Sequence, residues 1–231
     1  MKLKGFLENS LLDWDGKISA VLFLSGCNYA CPFCHNPELA GDSPALPELP
    51  LAGVLERAGK IRNWLDGVVV TGGEPCICPE LEGLLSDLRR RGFRVKLDTN
   101  GSNPEMLARV LEKGLVDYVA MDVKAPFEPG KYARLSGVPA DPEEPRASAA
   151  LLEKSGVEHE FRTTVVPGWL PEEDLTAIAA ALGPKARYYL QRFRNEKTLD
   201  PELSSITPGK EEDLQHAASA CGRYVAHCGV R

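Results

Sequence analysis

Three cysteines lie close together in the loop that follows the first predicted strand. Cys27, Cys31 and Cys34 have C-x3-C-x2-C spacing within the segment Ser25–Asn36. Three thiolates this close in sequence can bind one metal centre if the loop wraps around it, and the glycine, asparagine and proline in the loop favour wrapping. Electron-transfer clusters usually have four cysteine ligands, so three ligands on a 4Fe–4S cluster leave one iron open for a substrate.

A zinc site is the main alternative for this loop, with His35 as the fourth ligand. Zinc sites usually show two C-x2-C units some distance apart, and His35 directly beside Cys34 is poorly placed to complete a tetrahedron. A trio of inert buried thiols is a third interpretation, which the polar neighbours in the loop disfavour. The spacing therefore predicts an iron–sulfur cluster held by the three cysteines.

Polar residues also follow three later strands, in the segments Thr71–Pro75, Asp98–Gly101 and Asp122–Lys124. Two glycines followed by Glu74 allow a ligand to approach the backbone and to donate to a carboxylate. Asp98 with Asn100 either faces a ligand or forms a tight turn. Asp122 with Lys124 either lines a pocket or forms an ion pair. Ligand sites of parallel α/β sheets lie at the carboxyl ends of strands, so four such ends predict one site.

Short apolar runs alternate with stretches of helical periodicity along the chain, which predicts an α/β fold with parallel strands. This periodicity does not separate an open doubly wound sheet from a partial barrel. The segment 125–145 is rich in Pro and Gly and is expected to be an elaborated loop, and residues 1–231 are expected to form a single domain. The candidate strands are Lys17–Leu24, Gly67–Val70, Arg94–Asp98, Val116–Val123, Glu158–Val166 and Arg187–Phe193. The candidate helices are Leu51–Leu65, Glu80–Arg91, Pro104–Lys113, Pro142–Ser155 and Pro171–Ala181.

Composition restricts the class of partner and the compartment. The formal net charge is −6, which argues against a protein that binds a nucleic-acid backbone. The N-terminal stretch has no apolar core of a signal peptide, and no apolar run is long enough to span a membrane, so we expect a cytoplasmic protein. Seven cysteines, an odd number, are expected to be thiols or metal ligands rather than disulfides.

The cysteine loop resembles that of the radical S-adenosylmethionine superfamily, in which an aromatic residue, here Phe33, precedes the third cysteine. The resemblance implies a partial (β/α)6 barrel and S-adenosylmethionine bound at the open iron. It also implies reductive cleavage to methionine and a 5′-deoxyadenosyl radical. Gly72-Gly73-Glu74 resembles the family's GGE motif, and Asp122-Val123-Lys124 resembles the DxK motif of glycyl-radical-activating enzymes. The implied cofactor-binding residues are Phe33, His35, Gly72, Gly73, Glu74, Asp98, Asn100, Asp122, Val123 and Lys124.

Longer segments, among them VVVTGGEP, VKLDTNGSNPE and FRTTVVPG, resemble the activating proteins of anaerobic ribonucleoside-triphosphate reductases. The resemblance implies that the adenosyl radical removes a hydrogen from the Cα of a glycine in a partner reductase. It implies a one-electron donor such as flavodoxin or ferredoxin as second partner. The alternatives are the activation of another glycyl-radical enzyme such as pyruvate formate-lyase, and a radical enzyme acting on a small molecule. A non-catalytic metal-binding module is the remaining alternative.

Some residues fit this pattern less well. Arg162 either reaches the pocket or lies on a polar strand face, and Gln191 with Arg192 stands where some activating enzymes carry a histidine. The other cysteines are Cys76, Cys78, Cys221 and Cys228. We expect them to be ordinary thiols, the alternatives being a second cluster or a role in docking the partner.

Overall fold

The computed structural model describes residues 1–231, with eight strands and eight α-helices. The strands are β1 (Leu3–Ser10), β2 (Ser19–Leu24), β3 (Gly67–Gly72), β4 (Val95–Thr99), β5 (Tyr118–Asp122), β6 (Glu158–Val165), β7 (Arg187–Arg192) and β8 (His227–Val230). The helices are α1 (Pro37–Ala40), α2 (Leu51–Lys60), α3 (Leu81–Arg90), α4 (Pro104–Glu112), α5 (Pro129–Ser136), α6 (Glu143–Ser155), α7 (Glu172–Leu182) and α8 (Glu211–Cys221). Short 3₁₀ turns cover Arg62–Trp64, Pro75–Ile77 and Pro201–Ser205.

The chain divides into two compact units, described separately below. The first unit comprises residues 1–28, 38–99 and 105–119. The second unit comprises residues 29–37, 100–104 and 120–231.

In the first unit, β2 pairs in parallel with β3, and β3 pairs in parallel with β4, while β1 pairs antiparallel with β2. The first four residues of both β2 and β3 are buried, including Val68, Val69 and Val70. Such continuous apolar runs arise because parallel strands are covered on both faces. Helix α3 covers this sheet with leucines at helical spacing, all of which are buried: Leu81, Leu84, Leu85 and Leu88.

In the second unit, β6 pairs in parallel with β7, and β7 pairs in parallel with β8. Phe161 in β6 and Tyr188 in β7 are among the largest fully buried side chains. Helix α6 ends at Ser155, directly before Gly156, whose left-handed conformation (φ 72°) suits glycine because it has no Cβ. This confirms the helix end that the sequence predicts there.

The strand order is β1-β2-β3-β4-β5-β6-β7-β8, so the sheet has free edges and is not closed. A doubly wound sheet would reverse its strand order at a switch point, and no reversal occurs here. The α/β class and the partial barrel are therefore confirmed. All six strands predicted from the sequence are present, with ends that differ by at most two residues.

Several elements differ from the sequence-based expectation. The segment 125–145 contains α5, which begins with Pro129 at a position that tolerates proline and ends before Gly137 in a left-handed conformation. The predicted helix Leu51–Leu65 ends at Lys60 and continues as a 3₁₀ turn. Strands β1 and β8 and helix α8 were not predicted. None of the helices is both long and apolar enough to cross a membrane.

Candidate functional site

The turn after β3 in the first unit lies directly against the backbone that follows β2. Gly73 N donates to Leu24 O (2.9 Å), and Glu74 N donates to Gly26 O (2.8 Å). A Cβ on Gly73 would lie 2.0 Å from Gly26 O, and a Cβ on Gly72, which has φ 125°, would lie 2.1 Å from Leu24 O. Both glycines are therefore required by a close approach of two backbone segments, one of which leads into Cys27.

The Glu74 carboxylate is buried, with 2% of the residue exposed, and it organises the same turn. Its Oε1 accepts hydrogen bonds from Cys76 N (2.8 Å) and from Thr99 Oγ1 (2.6 Å). Burial raises the pKa of the Cys76 thiol well above its usual value, and the negative charge of Glu74 raises it further. Glu74 therefore caps the 3₁₀ turn that begins at Pro75, and its contact with a ligand ammonium group stays a prediction.

Asp98 at the end of β4 is held by two neighbours in the first unit. Lys96 Nζ lies 2.8 Å from Asp98 Oδ1, and Thr71 Oγ1 donates to Asp98 Oδ2 (3.3 Å). Lys96 also donates to the carbonyl of Asp13 (2.6 Å). The side chain of Asp98 is mostly buried, so the ion pair with Lys96, rather than solvent, stabilises its negative charge.

The cysteine loop continues in the second unit, where its side chains pack inward. Cys31 and Phe33 are buried, and Cys34 is half-buried. Cys34 N donates to Cys31 O (2.9 Å), which closes a tight turn between the two cysteines. Phe33, the aromatic residue identified in the sequence, is thus a core side chain that anchors this turn.

Backbone hydrogen bonds fix the loop on both sides of Cys31. Ala30 N donates to Ser136 O (2.9 Å) at the end of α5, and Asp200 N donates to Pro32 O (2.9 Å). A Cβ on Gly137 would lie 2.0 Å from Ala30 O, so the loop passes directly over the glycine that ends α5. The missed helix α5 therefore has a direct role in holding the cysteine loop.

His35 is half-buried next to Cys34. Burial lowers the pKa of its imidazole, which favours the neutral ring, while the ring hydrogen-bonds to the backbone of Arg194. Its Nε2 is buried without a hydrogen-bond partner. A buried polar atom without a partner is costly unless a ligand satisfies it, so this nitrogen is compatible with the predicted cofactor contact.

Asp122 and Lys124 form an ion pair that also includes Arg162 from β6. Lys124 Nζ lies 2.9 Å from Asp122 Oδ2, and Arg162 Nε lies 2.8 Å from Asp122 Oδ1. Burial alone would raise the pKa of Asp122, but the two cations outweigh it and hold that pKa well below its usual range. Of the two sequence interpretations, the ion pair is present, and one carboxylate is shared by two cations.

One of these two cations, Lys124, acts on the cysteine loop. Burial raises the pKa of the Cys31 thiol, and the Lys124 ammonium group opposes that rise. A nearby cation favours the thiolate, which is the form that binds metals. Val123, between the two charged residues, is buried, and its backbone N donates to Arg162 O (2.8 Å).

Asn100 forms the turn that the sequence suggested for it. It is buried, and its Oδ1 accepts a hydrogen bond from Ser102 N (2.9 Å), while Gly101 adopts φ 73°. The turn is thus present, and the contact of Asn100 with a ligand stays a prediction.

The chemistry of the cysteine loop fits an iron–sulfur cluster. No cysteine of the chain is in a disulfide, so Cys27, Cys31 and Cys34 are all available as thiols. No group of three or more His, Cys, Asp or Glu side chains is arranged around a metal position in the structure. The assignment of the three ligands therefore remains a prediction from their spacing, supported by the cation near Cys31 and by the buried Nε2 of His35.

Comparison with known proteins supports the same class. The family model described as the radical SAM superfamily matches residues 21–180. A protein of Methanocaldococcus jannaschii named as a glycyl-radical enzyme activating enzyme is 31% identical, over 99% of this chain and 95% of its own length. The pyruvate formate-lyase-activating enzyme of Staphylococcus aureus is 31% identical, over 59% of each chain.

A solved structure shows the same fold. The peptide-bound SuiB structure of Streptococcus suis matches 91% of this chain with a TM-score of 0.68 and 14% identity. SuiB bound to S-adenosylmethionine matches with a TM-score of 0.64. The present chain spans about half the length of SuiB (48% and 51%), and at this identity the likeness concerns the fold alone.

Proposed function

Because the chain belongs to the radical S-adenosylmethionine superfamily, we propose that it is an activating enzyme that forms a glycyl radical on a partner protein. We propose anaerobic ribonucleoside-triphosphate reductase as that partner. The observation that supports the activating function is the match to the M. jannaschii activating enzyme, which covers 99% of this chain and 95% of the relative.

Cys27, Cys31 and Cys34 would hold a 4Fe–4S cluster. When bound, the cluster and S-adenosylmethionine would supply the one-electron cleavage chemistry from which the glycyl radical derives. Phe33 anchors the loop from the core, and the Lys124 ammonium group opposes the rise that burial causes in the pKa of Cys31. The protein's part is therefore to hold ligands, to place charge and to exclude solvent.

The remaining assignments concern S-adenosylmethionine. Gly72 and Gly73 would offer backbone atoms at a turn where no side chain intervenes. Asp122 and Lys124 would offer charged groups whose orientation Arg162 fixes. His35, Glu74, Asp98, Asn100 and Val123 complete the set of residues that we propose for this cofactor.

The choice of partner rests on the sequence segments that resemble reductase-activating proteins. A glycine is a suitable target because a loop without a side chain can enter a narrow pocket. We further propose that the chain is a single radical S-adenosylmethionine domain, that it works in the cytoplasm, and that a flavodoxin or ferredoxin is the electron donor.

The test is anaerobic reconstitution with iron and sulfide, followed by reduction with dithionite in the presence of S-adenosylmethionine and a candidate partner. We expect 5′-deoxyadenosine in the solution and a glycyl doublet in the electron paramagnetic resonance spectrum of the reductase. Cys31→Ala is the control that removes one cluster ligand, and both signals should disappear. A doublet on pyruvate formate-lyase and none on the reductase would refute the proposed partner but retain the activating function.

A second candidate is a radical enzyme that acts on a small molecule. The 7-carboxy-7-deazaguanine synthase of Methanopyrus kandleri is 34% identical over 48% of this chain and 51% of its own length. This candidate predicts that a small molecule alone stimulates 5′-deoxyadenosine release. Release that requires the partner protein would exclude it.

A further inference from the structure

Tyr132 in α5 is a polar residue in the interior of the second unit. It is among the largest fully buried side chains, and its hydroxyl has no hydrogen-bond partner in the structure. A phenol hydroxyl donates one hydrogen bond, and a buried donor without an acceptor is costly. Native proteins therefore seldom keep such a group unless a ligand supplies the acceptor.

Aromatic and backbone contacts place Tyr132 against the cysteine loop. Its ring packs edge to face on that of Tyr29, which lies two residues before Cys31, with the ring centroids 6.3 Å apart. Ser136 lies one turn further along the same face of α5, and its carbonyl accepts the hydrogen bond from Ala30 N (2.9 Å). This face of α5 therefore packs on the two residues that lead into Cys31, a buried ligand of the proposed cluster.

The other side of the ring is also enclosed. Phe127 stacks on Tyr132 with the ring centroids 6.2 Å apart and the planes 12° from parallel. Burial raises the pKa of Tyr132 well above its usual value and outweighs the backbone N–H of Lys124, which acts in the opposite direction. The group is therefore a neutral phenol, held in place by its neighbours, that keeps its proton for donation.

We propose that Tyr132 is a further cluster-binding residue, whose hydroxyl donates a hydrogen bond to a sulfur of the 4Fe–4S cluster that the cysteine loop would hold. This role depends on the cluster of the proposed function. Hydrogen bonds to the sulfurs are among the factors that set the reduction potential of such clusters. The reduced cluster carries one more negative charge, so the bond is stronger in that state and Tyr132 favours reduction.

The proposal gives one substitution different effects with and without the cluster. Tyr132→Phe removes the hydroxyl and keeps the ring that packs on Tyr29 and Phe127. In the cluster-free protein the variant should be at least as stable as the wild type, because the lost hydroxyl has no partner there. In the reconstituted protein the same change removes a hydrogen bond to an anionic acceptor.

The first measurement is a potentiometric titration of anaerobically reconstituted protein, followed by electron paramagnetic resonance of the reduced cluster, without S-adenosylmethionine or a partner protein. We expect the equilibrium constant for one-electron reduction to fall by roughly three- to tenfold in Tyr132→Phe, because the reduced cluster loses a donor. The second measurement is urea denaturation of the cluster-free protein. An unchanged reduction equilibrium, or a cluster-free variant less stable than the wild type, would overturn the proposal.

Tyr188→Phe is the matched control. Tyr188 in β7 is also fully buried, and its hydroxyl has no hydrogen-bond partner. Its register partners are Phe161 in β6 and Cys228 in β8, neither of which belongs to the cysteine loop. This variant should leave the reduction equilibrium at the wild-type value. The same shift in both variants would reveal a general effect of the core and would contradict the specific role of Tyr132.

Two further outcomes separate this role from the proposed function. A shift that appears only after S-adenosylmethionine is added would transfer the hydrogen bond to that cofactor and overturn the assignment to the cluster. A wild-type protein that forms no cluster would refute the proposed function itself, and this role with it. A normal cluster that Tyr132→Phe leaves unchanged would refute the role of Tyr132 alone.

Discussion

The glycine that ends α5 offers a sharp test of how the cysteine loop is held. Gly137 and Gly156 both end a helix in a left-handed conformation with φ 72°. They differ in their surroundings: a Cβ on Gly156 meets nothing within 4 Å, whereas one on Gly137 lies 2.0 Å from Ala30 O. Gly156→Ala is therefore a control for the backbone strain that Gly137→Ala shares.

The expected magnitudes follow from this difference. A left-handed alanine costs about 1 kcal/mol of unfolding free energy at either position. At Gly137 the loop must also move by about 1 Å or more, which breaks the hydrogen bond from Ala30 N to Ser136 O, worth roughly 0.5–1.5 kcal/mol. We expect a loss of about 1 kcal/mol for Gly156→Ala and about 1.5–2.5 kcal/mol for Gly137→Ala.

The assay has two readouts. Chemical denaturation gives the free energy of unfolding of both variants, and iron analysis after anaerobic reconstitution reports the state of the cysteine loop. Gly137→Ala should retain less iron than Gly156→Ala, because the displaced carbonyl belongs to Ala30 and Cys31 is the next residue in the chain. Equal losses of stability and equal iron content in the two variants would falsify the inference that α5 supports the loop.

Three further predictions follow from the same contacts. In chemical denaturation, Gly73→Ala should lower the free energy of unfolding by about 2 kcal/mol, because the new Cβ meets Gly26 O. Gly83 lies in a helix with open space around it, so Gly83→Ala is the control and should raise the free energy of unfolding by about 0.5–1 kcal/mol. Asp122→Asn should lower the free energy of unfolding by about 2–4 kcal/mol at pH 7, because Lys124 and Arg162 lose the carboxylate that they share. The pKa of that carboxyl is lowered on folding, so its contribution is present above the unfolded pKa of about 3.9, and the gap between wild type and variant should close as the pH falls below that value. Cys31→Ala should abolish the absorbance of the reconstituted cluster, and a full iron complement in this variant would contradict its role as ligand.

Much of the candidate site could be predicted because its signals are local in sequence. The cysteine spacing, the GGE turn and the charged residues after β5 each lie within a few consecutive residues. The alternation of apolar runs with helical periodicity likewise predicted six strands and the α/β class. These patterns are readable because each one reflects a local requirement of the backbone or of a ligand.

The roles of individual side chains were less predictable. Glu74 accepts hydrogen bonds from its own turn and from Thr99, which lies 25 residues away, and no sequence pattern announces that pairing. Arg162 could be assigned to the Asp122 carboxylate only when β6 was in place. Helix α5 was missed because its proline and glycine residues resemble those of a loop, although they lie at its two ends.

The sequence by itself determined which ligand-type residues lie close together along the chain: three cysteines in one loop, and two glycines before a glutamate. Covalent spacing sets these groups before the chain folds. Only the tertiary structure decided which groups surround them. Hydrogen bonds, ion pairs and backbone contacts between residues far apart in sequence, such as Gly137 against Ala30, depend on distances that arise only when the chain has packed.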